Sequence, residues 1–421
     1  MLFYALEMAL TACVAAPAPT LMPSATPTGA LAPAATDSPA TPAPTAASPQ
    51  TLRLWLPPQF APDPSTPGGK ALLSQLDEFE KQHAGVQVEV RVKKTTGQGG
   101  LLNSLQAAMQ VAPGAAPDVI ALSNPMLLSA ASLAQPLDGA LTDADLADFY
   151  PFALQSARVE SHWLALPFAA DVIGLAYSTS AYAAPPVAWR DMPETGGPLW
   201  LPLADPAARV TLQQYVALGG ALTDEAGNPV IDATLLATVL AQYQSLQTAG
   251  LLPEASATVD DPAKTWAAYR ENRAAAAAAS LSDFLADRQR VVSTGFAPLP
   301  TPNGARVALA SQWNYVLITS DPARQAVAFE LMKWLTAPEN LGPWALASAV
   351  LPARPQALAR WPNTGLRAIA ADMLSVAQPE PSATLLAAIG PPVAAAVQAV
   401  LSGQSTPLTA ANTAAATVAG K

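Results

Sequence analysis

The sequence predicts an α/β protein of two lobes, in which each lobe is a mainly parallel β-sheet flanked by helices. Strand-like and helix-like segments alternate from residue 51 to about residue 123, as in a sheet wound by right-handed crossovers. A second block of the same kind begins at His162, and the strand-like segment "WNYVLITS" follows it. Two lobes joined by more than one crossing fit this order better than two separate domains in succession.

The first block has a β-α-β-α-β order. The strand "TLRLWL" has alternating apolar residues and stops at Pro57-Pro58, and the helix "GGKALLSQLDEFEKQHAG" follows with one apolar stripe. The alternating strand "VQVEVRV", the helix "GLLNSLQAAMQV" and the strand "PDVIAL" complete it. Ligands of such sheets bind beyond the carboxyl ends of the strands. We therefore expect the loops at 57–60 and 123–124 to face a site.

The second block opens with "HWLALPFAADVIGLAYSTSAY", which is strand-like up to Tyr177. A helix is predicted in "ATLLATVLAQYQSLQTAG", where Gly250 acts as a C-cap. After the strand "WNYVLITS", the segment "ARQAVAFELMKWLT" is a further helix.

Composition narrows the possible partners. The chain has 421 residues, 51% of them hydrophobic, which is ample for a large core, and its net charge of -10 argues against a nucleic-acid partner. With one cysteine and two histidines, the composition argues against a metal site built from these residues, and no cofactor is expected. No uninterrupted apolar run reaches the roughly 18 to 20 residues of a membrane-spanning helix.

The N-terminal region predicts a tether. Residues 14–50 are dominated by Ala, Pro, Ser and Thr, with Asp37 as the single charge, which indicates disorder. The preceding segment "LTAC" resembles the lipobox of bacterial lipoproteins, which implies lipid attachment at Cys13. Residues 1–13 look like a truncated signal peptide, because the segment is short, contains Glu7 and has no lysine or arginine at its start. The alternative is a chance cysteine in alanine-rich sequence.

The order of segments from about Thr51 onwards resembles the family 1 extracellular solute-binding proteins of ABC importers, the group of maltose- and oligosaccharide-binding proteins. No single segment is specific, and the resemblance lies in their order. The matching segments are "LDEFEKQHAGVQVEVRV", "APDVIAL", "LAQPLD", "HWLALPFAADVIGLAYSTSAY", "VAWRDM", "YVALGGALTDEAGNPVID", "TWAAYRENRAAAAAASLSDF", "GFAPLPTPNG", "FELMKWLTAPEN", "LPARPQAL" and "VLSGQSTPLTAA".

This resemblance implies a periplasmic-binding-protein fold with a ligand cleft between the lobes. It divides the chain into lobe 1 (51–168), lobe 2 (169–300), a return to lobe 1 (301–340) and C-terminal helices packing mainly on lobe 2 (341–421). Hinge crossings are expected near 166–170 and 299–304. The implied function is non-enzymatic: a monomer, lipid-anchored outside the cell membrane, captures a solute, most simply a sugar, and delivers it to a permease.

A sugar site needs aromatic platforms and polar partners for hydroxyl groups. Trp55 and Trp313, the latter beside Asn314 and Tyr315, match cleft-facing segments of the family, and Trp266 and Trp344 are further candidates. Asp171 lies just past a predicted hinge, where it could accept hydrogen bonds from sugar hydroxyls. Small polar residues that follow predicted strands complete the expected set: Ser123, Asn124 and Ser282. The alternative is a core position for the tryptophans, a turn position for the small polar residues, and a solvated acid or hinge salt bridge for Asp171.

Two other functions stay open. The same fold could bind a peptide or polyamine, or serve as a sensor; a polyamine would need several acidic residues in the cleft. A glycoside hydrolase would need a pair of catalytic carboxyl groups, but the sequence contains no GxSxG, HExxH or P-loop motif.

Overall fold

The computed structural model describes residues 50–192 and 196–420. Cys13, the predicted leader and the predicted tether up to residue 49 lie outside the described residues. The strands are β1 (Gln50–Leu56), β2 (Val86–Val92), β3 (Val119–Ser123), β4 (Arg158–Val159), β5 (His162–Trp163), β6 (Leu166–Ser178), β7 (Leu199–Trp200), β8 (Ala276–Ser280), β9 (Thr294–Ala297), β10 (Ala308–Leu317), β11 (Leu351–Pro352) and β12 (Ala377–Pro379).

The α-helices surround these strands. They are α1 (Pro67–Gln82), α2 (Leu101–Val111), α3 (Asn124–Ala130), α4 (Asp143–Leu146), α5 (Pro151–Ala157), α6 (Arg209–Ala217), α7 (Ala233–Thr248), α8 (Pro262–Arg270), α9 (Leu281–Asp287), α10 (Pro322–Thr336), α11 (Pro338–Ala347), α12 (Pro355–Ala359), α13 (Thr364–Ser375), α14 (Ala383–Leu401) and α15 (Pro407–Ala419).

The first lobe is built on the predicted β-α-β-α-β segment. β1 pairs in parallel with β2 and with β3, and β10 adds to β3 in the antiparallel direction. α1 begins where the hydroxyl of Thr66 accepts a hydrogen bond from the Gly69 N–H, and Pro67 occupies its first turn. Its apolar stripe, which includes Leu72 and Phe79, is buried in the core.

The strand β6 joins the two lobes. Its first half pairs with β10 as far as Val172, and its second half pairs with β8 from Ile173 onwards. The sheet order in the described part of the chain is therefore β2-β1-β3-β10-β6-β8-β7. The first crossing falls at 172–173, within the strand that contains the predicted hinge but after the predicted boundary at 168.

The chain then returns to the first lobe between β9 and β10. The predicted crossing at 299–304 still contacts the second lobe, because the Thr301 N–H donates to the carbonyl of Val187. The chain crosses between the lobes a third time after β12. This strand pairs with β10, and the next helix, α14, packs in the core of the second lobe.

The C-terminal helices divide between the lobes, unlike the predicted packing of residues 341–421 mainly on lobe 2. α11 contacts α1 and α12, and Leu341, Trp344 and Leu358 belong to the core that contains the first sheet. α14 and α15 contact each other and α7, in the core of the second lobe. The packing was not evident from sequence because all of these helices are rich in alanine and leucine.

Among the described residues, one helix, α14, is long and apolar enough to cross a membrane by length and composition alone. Half of its most apolar window is buried inside the fold, and residues such as Ile389 and Val393 are fully buried. It packs as a core helix of the second lobe.

Candidate functional site

A cavity of about 400 Å³ lies where β6 passes from the first sheet to the second. Both lobes contribute to its walls, together with the segments that connect them. Its lining residues are Asp171, Val172, Ile173, Arg209, Gln213, Asp261, Pro262, Ala263, Ser280, Asp283, Leu309, Ser311 and Glu380. This position, between two sheets and at the crossing strand, makes the cavity the candidate ligand site.

Asp171 is the predicted residue that lies at the centre of this site. In β6 it is opposite Ser311 of β10, one residue before the strand changes partner. Its carboxylate accepts hydrogen bonds from the Ser280 hydroxyl, from the Ser282 N–H at 3.0 Å and from the Ser282 hydroxyl at 2.7 Å. Burial raises the pKa of Asp171, and these hydrogen bonds oppose the rise. The predicted residues Asp171 and Ser282 therefore meet.

Asp283 and Asp261 add two further carboxyl groups from the second lobe. Asp283 lies in the first turn of α9, and Asp261 caps α8 by accepting a hydrogen bond from the Ala263 N–H at 2.8 Å. Burial raises the pKa of Asp283 to about 6, and the negative charges of Asp171 and Asp261 contribute to this rise. The carboxyl groups on this wall therefore repel one another.

Arg209 links three elements beside the cavity. Its Nε donates to Glu380 at 2.6 Å, and its Nη1 donates to both carboxylate oxygens of Asp205 at 3.2 Å. Glu380 in turn donates its backbone N–H to the carbonyl of Ala310 in β10. Gln213, one turn further along α6, donates to the carbonyl of Val307 at 2.8 Å. These contacts bind α6 of the second lobe to the strand that returns to the first.

Trp313 lies on the same strand face as Ser311, because alternate residues of a strand point to the same side and the register of β10 shifts only after Trp313. The indole is half-buried and stands edge-on to Phe60 at a ring-centroid distance of 5.4 Å. Trp313 pairs with Ser123 in the sheet, and Asn124 follows Ser123. All three are partly exposed at the carboxyl end of β3 but outside the cavity lining.

The structure places the other predicted aromatic residues in the core instead of the cleft. Trp55 is 3% exposed and packs among Leu101 and Leu105 of α2. Trp266 donates its Nε1–H to Asp287 at 3.0 Å. Both positions correspond to the alternative that the sequence left open.

The structure also places three more predicted site residues in the core: Trp344, Tyr315 and Asn314. The ring centroids of Trp344 and Phe168 are 5.6 Å apart. Tyr315 stacks on Phe168, with a distance of 4.1 Å between the ring centroids. Asn314 is fully buried in β10. Alternation along a strand predicts which residues share a face of the sheet. Because both faces of this sheet are covered, a residue on either face can be buried in the core.

Several residues that line the cavity were not predicted from the sequence. Asp283 comes directly after the predicted Ser282, and "DDPAK" has the Asp-Pro pattern of a helix start, so Asp261 had a local signal. Arg209 and Glu380 are 171 residues apart in the chain and had no such signal.

Two α/β lobes, a crossing strand and a cavity at the crossing define a solute-binding architecture. Residues 74–368 match the family of bacterial extracellular solute-binding proteins, and the chain belongs to that family. Its members are binding proteins and not enzymes, and they act outside the cytoplasm.

Solved structures of sugar-binding proteins share the fold. The maltose-bound MalE3 of T. maritima is 20% identical, with a TM-score of 0.67 over 88% of this chain and 99% of that one. The cyclic alpha-maltosyl-1,6-maltose binding protein of Arthrobacter globiformis is 15% identical, with a TM-score of 0.73 over 89% and 99%. The sugar-binding protein MalE of Xanthomonas citri is 18% identical, with a TM-score of 0.72 over 88% and 98%.

A curated relative matches over a shorter stretch. The maltotriose-binding protein of Pyrococcus abyssi is 29% identical over 96 residues, which is 22% of this chain and 21% of that protein. The match thus spans about a fifth of the relative's length.

Proposed function

We propose that this protein captures a sugar or oligosaccharide in the cavity between its lobes and delivers it to the permease of an ABC importer. The observation that carries the proposal is the position of the cavity, whose walls come from both sheets and from the strand that joins them. A ligand that contacts both walls binds the closed state better than the open state, and so shifts the equilibrium towards closure. The permease then recognises the closed form.

The chemistry of the cavity supports a hydroxyl-rich ligand. The Asp171 carboxylate accepts hydrogen bonds from paired hydroxyls, while Arg209 and Gln213 supply donors. Trp313, on the same strand face as Ser311, is the nearest candidate for an aromatic platform against a sugar ring. The relatives named above are maltose-, maltotriose- and sugar-binding proteins, which supports the same class of ligand.

Thermal unfolding with a panel of mono- and oligosaccharides tests this proposal. A ligand at 100 times its Kd stabilises the folded state by about 2.7 kcal/mol. For a folded unit of about 370 residues, the usual unfolding entropy converts this to a rise in Tm of about 3 °C. If only peptides or amines raised the Tm, the sugar assignment would be wrong.

Asp171→Asn locates the site. Asparagine keeps the size of the side chain but removes one charged acceptor, so we expect the affinity for the identified sugar to fall about 10-fold or more. The matched control is Asp260→Asn, which removes an exposed carboxylate paired with Lys264 and outside the cavity lining. Equal affinities of the two variants would place the ligand elsewhere.

We further propose that the protein acts as a monomer and that Cys13 carries a lipid that holds it near the permease. The proposal rests on the "LTAC" segment and on the Pro/Ala-rich residues that follow it. A Cys13→Ala protein should leave the membrane fraction of the native host and appear in the soluble extracellular fraction. Its continued retention in the membrane would contradict lipid attachment.

A further inference from the structure

The charge of the cavity wall is unbalanced. Four carboxyl groups line it, and within the described residues the only cationic side chain among the lining residues is Arg209. Arg209 is committed to Glu380 at 2.6 Å and to Asp205, so it offsets these acids and not the others. Asp171, Asp261 and Asp283 line the same cavity, and in the described part of the chain none of them forms a salt bridge. Lys264, which acts electrostatically on Asp261, is paired with Asp260 at 2.6 Å.

The three remaining acidic residues differ in the hydrogen bonds and ion pairs that they make within the protein. Asp171 is held by Ser280 and Ser282, and one oxygen of Asp261 caps α8. Asp283 has no hydrogen bond or ion pair to its side chain in the part of the chain that the structure describes. The cationic group that acts on it electrostatically, Arg270, is paired with Asp287 at 2.8 Å. The contacts of Asp283 within the protein are thus limited to its place in the first turn of α9, which favours a negative charge there.

The cavity also lacks the flat surface that neutral sugars use. Among the described residues that line it, none is aromatic, and the candidate Trp313 lies two residues beyond Ser311 on β10. A neutral saccharide would gain hydrogen bonds here, but it would leave the repulsion among the acids in place. A ligand with a positive charge would gain the same hydrogen bonds and would also relieve the repulsion.

We propose that the ligand of this cavity is a saccharide bearing a protonated amine, which Asp283 and Asp261 recognise opposite the hydroxyl-binding Asp171. This inference rests on the proposed sugar-binding function and specifies the substrate class. A second observation supports it: the acidic residues line a cavity of about 400 Å³ at the lobe crossing of a solute-binding protein, where Asp171 and Asp283 are partly buried and Asp261 is exposed. Desolvation inside such a cavity strengthens an ion pair relative to one on the surface.

Isothermal titration at pH 7 with three trisaccharides, and with the polyamine spermidine for comparison, tests the inference. The probes are maltotriose, fully N-acetylated chitotriose and its deacetylated form, the glucosamine trimer. The last two share a backbone; deacetylation removes three acetyl groups and leaves amino groups that can carry a positive charge. We expect the glucosamine trimer to bind at least 10-fold tighter than either neutral trimer, and this preference to shrink between 50 and 300 mM salt.

Two variants assign the preference to residues. Asp283→Asn and Asp261→Asn should each reduce the affinity for the glucosamine trimer by about 10-fold while changing the affinity for a neutral trimer by less than about threefold. Glu78→Gln, which makes the same charge change at an exposed position beside Lys81 in α1 and outside the cavity lining, should leave the preference intact. Far-ultraviolet circular dichroism of each variant verifies that it is folded.

The outcomes separate the two proposals. If neutral trimers bind as tightly as the glucosamine trimer, or more tightly, the inference is overturned and the sugar-binding function stands. If spermidine binds and no saccharide does, the sugar-binding function is overturned and so is the amino-sugar class. A preference for the glucosamine trimer that survives in both Asn variants would remove Asp283 and Asp261 from its recognition.

Discussion

Replacing Asp283 by asparagine should stabilise the unliganded protein at neutral pH. The folded state raises the pKa of this carboxyl from 3.8 to about 6, first through burial and then through the charges of Asp171, Asp261 and Asp287, with Arg270 opposing them. At 1.36 kcal/mol per pKa unit this difference corresponds to about 3 kcal/mol against the ionised form. Asp283 is partly exposed, so solvent screens the interaction and we expect a net gain of about 1 kcal/mol.

The pH dependence follows from the direction of that pKa change. Because the folded-state pKa is raised, the favourable contribution of the protonated carboxyl is present at low pH and is lost as pH rises through about 6. The parent protein therefore carries the full penalty at pH 7 and little of it at pH 4. Asp283→Asn should increase the free energy of unfolding by about 1 kcal/mol at pH 7 and by much less at pH 4.

Calorimetric or fluorescence-detected melting at both pH values measures this effect. For about 370 residues, 1 kcal/mol corresponds to a rise in Tm of about 1 °C. Asp260→Asn serves as the control, because the hydrogen bond with Lys264 lowers the pKa of Asp260 and its loss should not stabilise the protein at pH 7. A gain in Tm that is equal at pH 4 and pH 7, or absent at pH 7, would refute the electrostatic reasoning.

Two further predictions concern the first lobe. Trp313→Ala should lower the affinity for the bound saccharide about 10-fold, because the half-buried indole lies on the cavity-facing side of β10; an unchanged Kd by titration would remove it from the site. The loss of its contact with Phe60 should also lower the Tm without unfolding the protein. Gly69→Ala should destabilise by about 1 to 3 kcal/mol in urea unfolding, since a Cβ there would overlap the backbone of Asp63. Gly114→Ala, where the same atom meets open space, should change the stability by less than about 0.5 kcal/mol, and equal effects of the two substitutions would contradict the packing argument.

The order of strands and helices was predictable because it depends on local patterns. The alternation in "VQVEVRV" and the apolar stripe of "ALLSQLDEF" specify β2 and α1 without reference to the rest of the chain. The same holds for the end of the buried strand β3 at Ser123, although α3 begins directly at Asn124 without the expected loop. These features describe the first lobe closely.

Burial of single aromatic residues was not predictable by the same means. Trp55 and Trp313 both occur in strands, yet Trp55 packs in a core with residues of α2, whereas Trp313, in the middle of β10, stays half-exposed. The difference comes from helices and loops that cover one side of the sheet, and these arrive from distant parts of the chain.

The sequence by itself determined the α/β class, the two-lobe order and Asp171 as a ligand-site candidate, because periodicity and segment order are properties of neighbouring residues. Only the tertiary structure decided the composition of the cavity. Asp171 meets Ser280 across 109 positions and Arg209 meets Glu380 across 171, so their contacts depend on how β6, α6 and β12 converge. The charge of the cavity is set by that convergence, since electrostatic interactions depend on distance in space and not on separation along the chain.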